Sequence, residues 1–170
     1  LFPSNGLTAL AAEKTTVEQI ETRISAEHVP YAGKEYKDLY TWIDTVIYGR
    51  AQNSGSDWVD DSGMTIEIKG DGDYGEWYDI RYQFEAGRTY TTEYTYMINP
   101  AYEETHMFTE STTVTLTNPD PSKCTITGEV IEVRDSGRIC DVRYTMTIAG
   151  ERSYPDIKAA TLQKIKTPAD

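Results

Sequence analysis

A chain of 170 residues can build one domain with a full core but is short for two. Lys and Arg number 16 against 28 Asp and Glu, and the resulting charge of -12 repels phosphate backbones and anionic lipid heads, which makes nucleic acid and bare membrane poor partners. Thirteen tyrosines, three tryptophans and only two histidines make a β-rich composition with little acid-base chemistry near neutral pH, and no run approaches the ~18 apolar residues of a membrane helix.

Taken in order, Leu1 to Glu13 resembles the end of an export signal, with Ala9-Leu10-Ala11 as the small-x-small pattern before Ala12. Residues 1–16 are therefore expected to be a signal remnant or disordered extension, and the product to be secreted or attached to the cell wall. Val17 to Val29 fits a helical stripe through Val17, Ile20 and Ile24, or a strand through Ile20, Thr22, Ile24 and Ala26. The strand is preferred, ending at Pro30 before a Pro30–Lys34 turn. Leu39 to Tyr48 reads as a second strand with Tyr40, Trp42, Val46 and Tyr48 on one parity, a short helix being the alternative. Trp58 and Val59 precede an Asp60–Gly63 turn, and Met64, Ile66 and Ile68 alternate as a strand before the Gly70–Gly75 turn.

Ile80 to Ile98 organises the chain. Ile80, Tyr82 and Phe84 alternate with polar residues, and after Ala86-Gly87 the large side chains fall on Tyr90, Tyr94, Tyr96 and Ile98. A two-residue hairpin there would set the two apolar faces on opposite sides, so the connection is either longer or crosses between sheets, and crossing is preferred. Asn99-Pro100 stops the strand, Ala101 to Thr109 reads as an irregular loop, and Thr112 to Thr117 is the next strand, broken by Asn118-Pro-Asp-Pro121. A last hairpin pairs Lys123–Arg134 with Arg138–Ala149 over Ser136-Gly137. That register sets Cys140 opposite Val133 and Cys124 beside Ala149, ~30 Å apart at strand rise, beyond the about 7 Å limit of a disulfide. Both thiols are expected to be free and buried. The total is about eight or nine short strands, an all-β antiparallel sandwich over residues 17–158, with 159–170 a tail or linker.

The segment Phe84-Glu-Ala-Gly-Arg-Thr-Tyr-Thr91 is similar to the E-to-F connection of immunoglobulin-like sandwiches, which makes Tyr90 the corner tyrosine. Together with Val29–Lys34, Trp58–Met64, Thr112–Leu116 and Val142–Met146, it resembles an immunoglobulin-like β-sandwich module of secreted or wall-attached surface proteins of Gram-positive gut bacteria. The resemblance covers most of residues 20–149 and implies a stalk or binding unit without a catalytic role, beside further domains of a larger protein. The acidic Asp71–Asp79 turn and the cysteine pair depart from the pattern.

Candidate chemistry is sparse. Asp71, Asp73 and Glu76 hint at a calcium loop, joined from the neighbouring turn by Asp57, Asp60 and Asp61, but Gly75 and Tyr82 occupy positions where an EF-hand needs oxygen ligands, so a solvated turn is favoured and no metal or cofactor is assigned. Glu103-Glu104 and Asp60-Asp61 read as solvated charge runs rather than the separated carboxylates of a glycosidase. His28 and His106 lack a nucleophile at any known spacing, and His106 is read as a loop residue. Trp58 is assigned to the core. Tyr74, Trp77 and Tyr78 flank the acidic turn, and Tyr102 with Glu103 and Glu104 forms a second patch; both are candidate binding residues. The expectation is a non-enzymatic adhesin-like module that recognises a host protein, such as a mucosal glycoprotein or immunoglobulin. The alternatives are a carbohydrate-binding module of a glycan-degrading enzyme, or a structural spacer.

Overall fold

The strict alternation of Thr89–Ile98 folds as a ten-residue strand whose even side chains, Tyr90, Thr92, Tyr94, Tyr96 and Ile98, are all 2% exposed or less. The structure, a computed structural model, describes residues 12–34, 41–43, 45–51, 58–61 and 83–152. Among these the strands are β1 (Thr15–Thr16), β2 (Gln19–Ile24), β3 (Thr41–Trp42), β4 (Tyr48–Arg50), β5 (Val59–Asp60), β6 (Thr89–Ile98), β7 (His106–Met107), β8 (Thr113–Thr117), β9 (Cys124–Arg134) and β10 (Ile139–Ile148).

The chain is all-β and sandwich-like. One antiparallel sheet runs β4-β6-β10-β9, with β5 also on β6, and a three-stranded sheet runs β3-β2-β8. Their inner faces meet over Ile20, Ile24, Tyr48, Tyr94, Tyr96, Val142, Tyr144 and Met146. Trp58 is in this core too, edge-on to Phe84 at 6.3 Å between ring centroids. The last hairpin has the expected register: Cys140 faces Val133, Cys124 faces Ile148, and Ala149 N–H donates to the Lys123 carbonyl at 2.9 Å. Ser136 and Gly137 sit at its tip with φ of 54° and 85°, the left-handed pair that a tight hairpin turn requires. Both cysteines are free and buried, and burial pushes the Cys140 thiol up to about 12.

Several expectations are corrected. Leu39 to Tyr48 is not one strand: the Thr45 hydroxyl accepts the Ile47 N–H, bending the chain so that Val46 is 67% exposed, and among the described residues only Thr41–Trp42 and Tyr48–Arg50 pair there. The first long strand ends at Ile24, not at Pro30, because Ala26–His28 turns into a 3-10 helix. The segment 101–109 is more regular than a loop: Pro100 starts a 3-10 turn, and His106–Met107 pairs in parallel with Thr15–Thr16. His106 is therefore a strand residue, and ordered pairing begins before residue 17. Not all pairing is antiparallel either, since β8 runs parallel to β2. The expected strands over 64–68 and 80–82 lie outside the described residues.

The Ala86-Gly87 connection is not a two-residue hairpin onto β6. Phe84 exchanges backbone bonds with Gly33 and Lys34 (2.8 and 3.0 Å), not with β6. Tyr90 closes the corner: its hydroxyl accepts the Glu85 N–H at 2.8 Å while its ring lies edge-on to Phe84 at 5.1 Å. Within the core a chain of hydroxyls joins the sheets. Thr22 Oγ1 donates to the Thr115 carbonyl at 3.1 Å, so it accepts from Tyr144 Oη at 3.2 Å, which leaves Tyr144 to accept from Tyr96 Oη at 2.6 Å. Burial raises the pKa of both tyrosines, keeping them protonated as this chain of donors requires.

Two consequences are measurable by denaturant unfolding. Tyr90→Phe leaves the Glu85 N–H without its acceptor and lowers stability by about 1–2 kcal/mol at unchanged m-value. Tyr144→Phe removes both an acceptor and a donor and costs about 2 kcal/mol, whereas Tyr96→Phe removes only the first donor and costs about 1; equal or inverted costs would refute the central place of Tyr144 in the chain.

Candidate functional site

Strands β8 and β9 are consecutive in the chain, joined by residues 118–123, yet belong to different sheets. Each is the last strand of its sheet on the same side of the sandwich, and among the described residues β8 pairs only with β2 and β9 only with β10. The two strands lie against each other at Gly128. A Cβ on Gly128 would lie 2.1 Å from Val114 Cγ1 and 2.9 Å from Tyr144 Cε1, so only glycine lets the edges approach there. A groove of about 540 Å³ lies between them, bordered by Glu110, Thr112–Val114 and Gly128–Val133.

The backbone phase of both edges follows from single bonds. Because Ala149 N–H bonds Lys123 and the Ile148 amide bonds Arg88 on the opposite side, Cys124, Ile126, Gly128 and Val130 direct their backbone groups away from β10. Asn118 Nδ2 donates to the Cys124 carbonyl at 2.8 Å, capping the start of this row. On β8, Thr113 N–H bonds the Glu18 carbonyl at 2.9 Å, so Val114 and Leu116 direct theirs away from β2. The core-facing side chains along this side, Val114, Leu116, Ile126, Val130 and Val133, pack against the core yet are only half buried. At Ile131 the register of β9 shifts by one residue against Asp141 and Val142, a bulge that leaves Ile131 38% exposed.

The rim is negative. Glu110, Glu129 and Glu132 are exposed along it. Glu129 lies 3.6 Å from Arg143, but Arg143 bonds Glu93 more closely, at 2.8 Å. Arg134 turns instead to Asp141, with Nε to Oδ2 at 2.7 Å, and holds that carboxyl below the usual carboxylate range. The lining offers strand edges, aliphatic area and carboxylates, with no histidine, cysteine or serine among the described residues.

The residues singled out from sequence fall elsewhere. Tyr74, Trp77 and Tyr78 lie outside the described residues, as do Asp71, Asp73 and Glu76. Tyr102 is half buried, packed against the core and edge-on to His106 at 5.7 Å, which leaves less of its ring for a ligand than a loop position suggests. Glu103 accepts from Arg138 Nη1 at 3.3 Å, and Glu104 is exposed. Glu103 and Glu104 border a small polar pocket of about 120 Å³ with Lys14, His106, Asp135, Ser136 and Arg138. Asp60 and Asp61 are not a solvated run: Asp60 is buried against Arg88 Nη1 at 3.1 Å, and Asp61 takes both terminal nitrogens of Arg152 at 2.6 and 3.0 Å. Among the described residues no cluster of three or more His, Cys, Asp or Glu is placed to hold a metal ion.

The groove was missed because its residues read as ordinary core strands. Two signals in the sequence mark it: a glycine inside a strand at Gly128, and the break in alternation at Val130-Ile131. Comparisons with protein-family models, curated proteins and solved structures give no match for this chain.

Proposed function

We propose that this chain is a non-enzymatic binding module, immunoglobulin-like in plan and displayed outside the cell, that recognises another protein. The observation that carries this reading is the open side of the sandwich, where two strand edges and the half-buried side chains of Val114, Val130 and Val133 border one acidic groove. Surfaces of that composition suit recognition of a chain better than turnover of a small substrate, because backbone donors and acceptors with apolar area supply affinity without a proton-transfer pair. The Tyr90 corner supports the immunoglobulin-like plan, and display at a Gram-positive cell surface rests on the sequence resemblance. A host protein of mucosal secretions, a glycoprotein or an immunoglobulin, is the partner class we favour.

The test is capture by the immobilised full chain from mucosal secretions, repeated after enzymatic removal of glycans. A protein retained under both conditions and identified by mass spectrometry is the expected result. Capture lost with the glycans would transfer the role to sugar binding, and no capture in either arm would leave a spacer.

A further inference from the structure

We infer that the groove between β8 and β9 accepts an extended peptide segment of a partner protein, with apolar residues alternating with lysine or arginine, which adds as a strand to the open edge of β9. This rests on the binding-module reading and names the contact surface and the chemistry of its occupant.

Three features select that occupant. First, the backbone groups of Gly128 and Val130, both in the groove lining, face away from β10, which is what an added strand bonds. The lining part of β9, Gly128 to Val133, spans ~20 Å, the length of an ordinary strand. Second, Val114, Val130 and Val133 point inward yet are only half covered, so alternate side chains of an added strand would meet apolar area while the intervening ones point out. Third, the outward positions would pass Glu110, Glu129 and Glu132, which favours cationic residues there. The same charges, on a chain of net charge -12, disfavour a second copy as the occupant.

The probe is an amidated octapeptide alternating lysine and valine, added to the isotopically labelled full chain. Amide exchange at Gly128 and Val130 should slow about tenfold when free peptide reaches ten times its Kd. An octapeptide alternating lysine and serine should not reproduce this, nor should one alternating glutamate and valine. The double variant Glu110→Lys/Glu132→Lys, its fold verified by circular dichroism, should bind the lysine–valine peptide roughly fivefold more weakly. Equal protection by the lysine–serine peptide would show general attraction to an acidic chain and overturn the inference. So would protection elsewhere, no protection, or concentration-dependent protection of these amides in the chain alone. Capture from secretions that the double variant retains in full would keep the binding module and reject this groove as its contact, whereas failure of the native chain to capture anything would reject the module itself.

Discussion

The structure depends on a line of hydroxyls that crosses its interior. Tyr96, Tyr144 and Thr22 pass donors in one direction to the Thr115 carbonyl, linking β6 and β10 of the large sheet to β2 and β8 of the small one. Apolar contact between two sheets is tolerant of sliding, because area changes little with small shifts. A buried hydroxyl is not tolerant: each must find its partner or lose a bond it had in water. The chain therefore fixes how the sheets sit on one another, and with that where β8 lies relative to β9. Tyr48 adds a second tie, its hydroxyl donating to the Gln19 carbonyl and accepting the Glu21 N–H, at 3.1 and 3.0 Å.

Once the sheets are fixed, the groove follows from connectivity. Six residues, 118–123, join β8 to β9, and Asn118 and Asp120 tighten that link through side-chain bonds to the backbone of Cys124, Asp120 and Ser122. The short link brings the two strands together at one end, and Gly128 lets them touch at Val114. Beyond that point each strand follows the twist of its own sheet, and strands on different sheets diverge. The groove is thus the place where two twisted layers part.

How much of this the chain announces depends on whether the determinant is local. Period-two alternation marks β6 and β10 because both faces of their residues have fixed environments, and Cys140 opposite Val133 followed from turn position alone. Tyr90 was legible because its partner, Glu85, is five residues away. The parallel pairing of Thr15–Thr16 with His106–Met107 was not, since two-residue strands carry no period and their partners are distant in sequence. Asp60 and Asp61 read as solvated charges because the cations that engage them, Arg88 and Arg152, come from other segments. The groove was least legible of all. Whether a strand is an edge is a property of the whole topology, and Thr113–Thr117 carries the same pattern as an edge that it would carry in the middle of a sheet.

Charged residues on an open edge have a second reading, as protection against unwanted pairing, and the bulge at Ile131 fits it too. The two readings differ in what they ask of the inner face. Protection alone is served by blocking the backbone row, and it gains nothing from leaving Val114, Val130 and Val133 half covered. Those side chains would be better buried by a longer β8. Glutamates of one sign repel other copies of this acidic chain while leaving the edge open to a cationic strand, so rejection of self and acceptance of a partner come from the same residues.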